Sequence, residues 1–340
     1  MRGVLFLGDR QAVVKEFPDP EPGLKQVRVG MKAASICGSD MHSYCYPAGE
    51  QGERAGLIRG HEACGIVDML GEGVEGVRVG DRVMVHMSGG CGRCEYCLRG
   101  DDTYCLNAHS LGLRSHGSMA DFVITGEHSC IGLPDWMSFS SAAVLVCAGG
   151  TAFKASRDLD VSGVDTVAIF GLGPVGLAGI LMAKAMGARV IGIDVVAERL
   201  DIARSLNTDH IVDASAENPV DAVLGLTGGR GADVVLEYSG NPDAQKHSLE
   251  CARKKGRVAW VGVNEGVVTI SPSTILYKEV QLRGSLIFGP ADAWQLFRFV
   301  EQHHLRFEAL VSHRFPIERA PEALKLFDTR KTGKILFVWD

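Results

Sequence analysis

A chain of 340 residues that is 46% hydrophobic can bury more than one core, which makes two domains the expectation. Its net charge of −6, with no run of Lys and Arg, offers no basic field to a phosphate backbone, and nucleic acid is excluded as a partner. Ten cysteines, clustered in a chain of this size, point to metal binding before disulfides.

At the N-terminus, MRGVLFLGDRQ has an apolar run too short for the core of a signal peptide, and residence in the cytoplasm is expected. From Val27 to Val85 short β-rich runs (VRVGMKAASI, CGIVDML, DRVMVHM) alternate with glycine turns, which predicts an all-β domain. From about Gly149 the pattern becomes strand and helix in turn: TVAIFG, a helix through Met186, RVIGID, a helix through Leu206, HIVDA, then ADVVLEYSG and GRVAWVGV, each after a helix. Such alternation predicts an α/β class with a doubly wound parallel sheet. The stretch Thr166 to Ala183 is uncharged for about the length of a membrane span, but its glycines and a Gly-Pro pair divide it into strand, turn and helix, so no membrane is expected as a partner. His303 and His304 fall in a predicted helix and match no ligand pattern. The C-terminal RAPEALKLFDTRKTGKILFVW reads as short strands and one amphipathic helix packing back onto the first domain. The expected division is 1–148 with 290–340 for the first domain and 149–289 for the second.

GLGPVG, Gly171 to Gly176, follows a strand and opens an apolar helix, the context that gives a GxGxxG meaning. Gly171 permits the turn, Gly173 lets backbone approach a pyrophosphate, and Gly176 lets helix pack on strand, with Pro174 and Val175 completing the phosphate-binding turn. Asp194 closes the next strand about twenty residues on, where a carboxylate accepts both ribose hydroxyls and repels a 2′-phosphate; NAD is preferred over NADP. Arg199 is expected to line the adenosine site, and Val261 and Val263, at the end of GRVAWVGV, to touch the cofactor.

Cys91, Cys94, Cys97 and Cys105 lie in GGCGRCEYCLRGDDTYC, a segment with little apolar content. Four thiolates fill every position of a tetrahedral zinc, which makes this metal structural. Three further segments, ICGSDMH (36–42), GHE (60–62) and VLVCAGGTAFKA (144–155), carry Cys37, His61 and Cys147. Two thiolates and one imidazole leave one position on a zinc open, as catalysis requires.

In these segments, their order, the four-cysteine loop and the later GxGxxG, essentially the whole chain resembles the zinc-containing medium-chain alcohol dehydrogenases. Two thiolates and an imidazole are the ligand set for which alcohol dehydrogenases are known. The resemblance implies a GroES-like all-β catalytic domain plus a Rossmann domain, two zincs per chain and NAD. It implies catalytic zinc on Cys37, His61 and Cys147, structural zinc on the four-cysteine loop, and Asp40 orienting the ligands. Glu62 is implied to approach the catalytic zinc when its fourth ligand exchanges. Ser39 matches the hydroxyl that bonds the alcohol, His42 the end of a proton relay to solvent, and Thr151 a neighbour of the nicotinamide. Association through the dinucleotide domain into a homodimer or homotetramer is implied as well.

The branch signals conflict. Cys147 resembles the alcohol dehydrogenase branch, since polyol dehydrogenases commonly place a carboxylate there, whereas chain length and CGSDMH resemble the polyol and threonine branch. The polar segment between His42 and His61, with Tyr44, Tyr46, Glu50, Glu53 and Arg54, is expected to border the substrate pocket in part. A small polar secondary alcohol (polyol, sugar derivative or hydroxy acid) is the expected substrate, with simple alcohols as the alternative. A zinc-free NADPH reductase and a non-catalytic NAD-binding protein are the rival readings. Cys45, Cys64, Cys130 and Cys251 are expected to be small buried hydrophobes.

Overall fold

The structure, a computed structural model, describes residues 1–50, 52–263 and 266–340, and of Glu53 the backbone only. It comprises two compact units: Met1–Cys147 with Phe288–Gln302 and Arg306–Asp340, and Ala148–Ile287 with His303–Leu305.

The first unit is built on a seven-stranded sheet in the order Val311–Phe315, Lys334–Val338, Gln26–Ser35, Glu62–Leu70, Arg82–Val85 and Cys130–Gly132, with Phe122–Gly126 also pairing with Gln26–Ser35. Along Gln26–Val29–Met31 every second residue is buried, because a strand turns alternate side chains to one face. Val27, Val29 and Met31 thereby join Val83, Val85, Ile335 and Phe337 in one core. The C-terminal segment does return to this unit. Its helix Ala320–Asp328 buries Ala320, Ala323, Leu324 and Phe327, a helical stripe, and its strand Lys334–Val338 runs antiparallel to Gln26–Ser35.

One feature was not legible beforehand. Arg2–Gly8 and Gln11–Glu16 form a hairpin whose turn holds Asp9 and Arg10 at φ 49° and 59°, the left-handed pair that a tight hairpin turn needs. The run GVLFLG gave no alternation because Val4, Leu5 and Phe6 are all buried, on both faces of the strand. The helix Ala293–Gln302 also belongs to this unit. It ends before the histidines: His303 and His304 lie in the turn that follows, His304 at φ 51°, which corrects their placement in a helix.

The second unit carries six parallel strands, Thr166–Phe170, Arg189–Asp194, His210–Asp213, Ala232–Glu237, Ala252–Trp260 and Gln281–Gly284. Numbered one to six along the chain they lie in the order 3-2-1-4-5-6, the dinucleotide-binding topology, with the switch point between strands one and four. The uncharged stretch from Thr166 divides into the strand Thr166–Phe170 and the helix Pro174–Ala185. Among the described residues no helix is long and apolar enough to cross a membrane. Gln281–Gly284, an exposed edge strand, had no sequence signal of its own.

Candidate metal and cofactor sites

Strand ends place the dinucleotide residues together. Gly171 ends the first strand's turn at φ 82°, and a side chain there would meet Ser239 at 2.7 Å; at Gly176 it would meet the Gly171 carbonyl oxygen at 1.9 Å. At Gly173, in contrast, the nearest atom to an added Cβ is the Arg199 guanidinium at 3.9 Å, which leaves a cradle of the kind a pyrophosphate fills. Asp194 is buried, its Oδ2 accepting from Leu172 N at 2.6 Å and its Oδ1 from Val195 N and Val196 N at 2.7 and 2.9 Å. Its carboxylate therefore fixes the glycine turn, and Arg199 Nη1 lies 3.7 Å from it. Pro174 and Val175 open the helix. Val261 N donates to the Glu237 carbonyl, Val263 is exposed, and both follow the fifth strand. The hydroxyl of Thr151 is buried, with no hydrogen-bond partner among the described residues.

Among the described residues of the first unit two groups of donors converge, each with ligand atoms within 4.8 Å of one another. Cys91, Cys94, Cys97 and Cys105 form one; Cys94 and Cys97 sulfurs are 3.4 Å apart. Backbone N–H groups point at these sulfurs: Cys91 N and Asn107 N donate to Cys105 Sγ at 3.2 and 3.3 Å. Amides of Cys97 and Leu106 hold the Cys94 thiol down to about 6, so it is a thiolate at neutral pH, while burial against its neighbours drives Cys97 up. Such an N–H lined thiolate set fits a closed tetrahedral zinc.

Cys37, His61, Glu62 and Cys147 form the second group, all buried. Cys37 follows the strand Gln26–Ser35, His61 directly precedes the paired strand that Glu62 begins, and Cys147 sits in a π-helical turn, Leu145–Gly149, that continues the helix Phe139–Val144. A wide turn of this kind re-aims one side chain inward, and such turns recur at functional sites. The Cys37 and Cys147 sulfurs are 3.8 Å apart, the edge of a tetrahedron whose zinc–sulfur distance is about 2.3 Å. Asp40 braces the set from behind: Oδ2 accepts from Cys37 N at 2.9 Å and Oδ1 stands 3.4 Å from His61 Nδ1, turning Nε2 of the ring toward the metal position. The pocket carries negative charge for a cation. Burial would lower His61, yet Asp40 and Cys37 raise it well above the ordinary range; burial would lower Lys334, yet Glu62 and the two thiols raise it.

Ser39 caps the helix Asp40–Cys45 without spending its hydroxyl on a capping bond, and both Ser39 and His42 are exposed, three positions apart on that helix. Tyr44 departs from expectation: it packs edge-on against Phe6, centroids 5.5 Å apart, as part of the core, because its helix turns that face inward. Tyr46, Glu50 and Arg54 are exposed, and the Glu53 side chain lies outside the described residues. Cys64 and Cys251 are buried as expected, but Cys45 and Cys130 are only half-buried. Lys334 and Ser35, both against Glu62, were missed; the one available signal was a lysine heading the apolar run ILFV.

Residues 23–135 match the model of the alcohol dehydrogenase GroES-like domain, and residues 174–302 that of zinc-binding dehydrogenase. The chain is 34% identical over 336 residues to a sorbitol dehydrogenase of Halalkalibacterium halodurans, covering 97% of this chain and 96% of that one. This chain belongs to the zinc-binding alcohol dehydrogenase family. The dehydrogenase is also 31% identical over 331 residues to an L-threonine 3-dehydrogenase of Bacillus subtilis, covering 96% of this chain and 95% of the relative. A solved structure of an NAD-dependent alcohol dehydrogenase matches it with a TM-score of 0.88 and 30% identity over 100% of both chains. The dehydrogenase is therefore a zinc-dependent oxidoreductase with a GroES-like unit and a Rossmann unit.

Proposed function

We propose that this dehydrogenase oxidises a small, polar secondary alcohol of polyol, sugar-derivative or hydroxy-acid type to the ketone, with NAD as hydride acceptor. One observation carries the reading: two thiols and an imidazole, buried within 4.8 Å of one another, make a three-ligand set. When bound, zinc makes the alcohol oxygen more acidic and the nicotinamide ring takes up hydride. Cys37, His61 and Cys147 hold that metal, and Asp40 fixes the imidazole's tautomer and tilt. Ser39 would take the alcohol proton as it gives up its own to the nicotinamide ribose, and His42, at the end of that relay, would release a proton to solvent, a route suited to the exposure of both residues. Gly171, Gly173 and Gly176 cradle the pyrophosphate, with the helix from Pro174 and Val175 facing it. Asp194 takes the ribose and selects NAD, Arg199 flanks the adenosine, Val261 and Val263 border the cofactor, and Thr151 turns its unpaired hydroxyl to the nicotinamide.

The names of the relatives, sorbitol and L-threonine dehydrogenases, support a polar substrate. Cys147 as third ligand supports the alternative of a simple primary or secondary alcohol. The donor sets speak against a zinc-free reductase, which has no use for them. The exposed edge strand Gln281–Gly284, flanked by exposed Leu276, Tyr277 and Leu286, supports assembly into a homodimer or homotetramer. Ten free cysteines, seven of them in donor sets, suit a reducing compartment such as the cytoplasm.

The test is NADH formation over primary alcohols, secondary alcohols, polyols, sugars and hydroxy amino acids, with zinc measured on the same sample. Preference for a polar secondary alcohol with about two zincs per chain supports the proposal. Preference for simple alcohols shifts it to the alternative, and no turnover with only the lobe zinc present favours a non-catalytic protein.

A further inference from the structure

Glu62 is fully buried beside the catalytic ligands, one of its oxygens within 4.8 Å of the Cys37, His61 and Cys147 donor atoms. A free carboxylate there is a fourth ligand in waiting, and its coordination would close the position that substrate needs. It is not free. Lys334 Nζ, 1% exposed, lies 2.7 Å from Oε1 and 2.6 Å from Oε2. Ser35 donates to Oε2 and also stands 2.8 Å from the Ala143 carbonyl, in the helical segment that leads into Cys147. The sheet registers build this clasp: Ser35 pairs with Glu62 on one side and with Leu336 on the other, which sets Lys334 two residues away along the neighbouring strand.

We propose that Lys334 is a positioning residue for the metal centre: by engaging both oxygens of Glu62 it holds that carboxylate back from the fourth position of the Cys37, His61 and Cys147 set, which stays open to the alcohol. The proposal rests on the catalytic-metal reading given above. Its physical basis is charge. A carboxylate at zero exposure stays ionised only with a cation beside it. Two are within reach, the ammonium of Lys334 and the metal held by the three ligands, and the ammonium meets both oxygens without spending a coordination site. Removing it leaves the metal as the cation that the carboxylate can turn to.

The experiment uses the intact enzyme with cobalt(II) replacing zinc at the catalytic site and zinc kept in the lobe. Visible absorption reports coordination, and imidazole, a neutral single-point ligand, reports whether the fourth position is open. Lys334→Met is expected to show the spectrum of four protein ligands before any addition and to bind imidazole about tenfold more weakly, or worse. Lys334→Met with Glu62→Gln restores the open-site spectrum and imidazole binding, because no carboxylate remains to close the site, and Lys334→Arg keeps both. A Lys334→Met protein with wild-type spectrum and affinity overturns the proposal. So does a double variant as impaired as the single one, which would make Lys334 a structural residue only. If the wild type takes up cobalt without a thiolate-to-cobalt charge-transfer band, the catalytic-metal reading itself fails, and the proposal with it. None of these readouts needs a substrate, so an unresponsive alcohol panel leaves the result standing.

Discussion

The two donor sets are brought together by opposite routes. Cys91, Cys94, Cys97 and Cys105 lie in one loop, three of them half-buried, joined by short turns that carry little apolar side chain. Cys37, His61 and Cys147 come from three segments spread over more than a hundred residues, and all are buried against a sheet whose core exists without them. On the proposed reading a local set would organise the lobe around itself, so that its metal would contribute folding energy, and an assembled set would rest on a finished core, so that its metal would contribute chemistry.

The largest expected effect breaks the assembled site. Cys37→Ala or His61→Ala should lower kcat/KM by about three orders of magnitude or more, since a metal supplies several kcal/mol of transition-state stabilisation at about 1.4 kcal/mol per decade. Circular dichroism and the thermal midpoint should stay near wild type; activity within an order of magnitude of wild type refutes the assignment. The local site should answer the other way. Cys97→Ser is expected to lower the thermal midpoint by about 5 °C or more and to open the 91–105 loop to protease, with kcat/KM on the remaining folded protein little changed. An unaltered midpoint would dissolve the contrast.

The cofactor site divides along the same line, with the glycine turn local and Asp194 brought to it by the sheet. Asp194→Ala should shift the NADP to NAD ratio of kcat/KM by about tenfold or more toward NADP, as a like-charge contact is removed. The KM for NAD should also rise, because Leu172 N, Val195 N and Val196 N lose their acceptor. An unchanged ratio means that the ribose lies elsewhere. The smallest effect concerns one atom. With its pKa lowered to about 6, Cys94 in the zinc-stripped lobe is a thiolate at pH 7 and becomes protonated as the pH falls through that value. It should be the first of the four to be alkylated by iodoacetamide at pH 7, with Cys97, pushed the other way, the slowest; peptide mass spectrometry reads the order.

What the sequence determined by itself is whatever its chemistry can do over short range. The GLGPVG turn is legible because a strand, a positive-φ glycine and a helix N-terminus are contiguous, and the four-cysteine loop because its donors share one peptide. The strand and helix alternation of the second unit is legible because each element declares its own period. Cys37, His61 and Cys147 were found as residue types through the resemblance of their segments, but their convergence, with sulfurs 3.8 Å apart, is a product of sheet register and one π-helical turn. Tertiary structure alone decided the rest. Tyr44 looked like part of a polar loop and is core because its helix faces Phe6. Lys334, missed in the sequence, is buried on Glu62, 272 positions away, because a strand from the far end of the chain pairs with Gln26–Ser35. A side chain's partner across a sheet depends on which strands meet and in what register, and neither is encoded within any one segment.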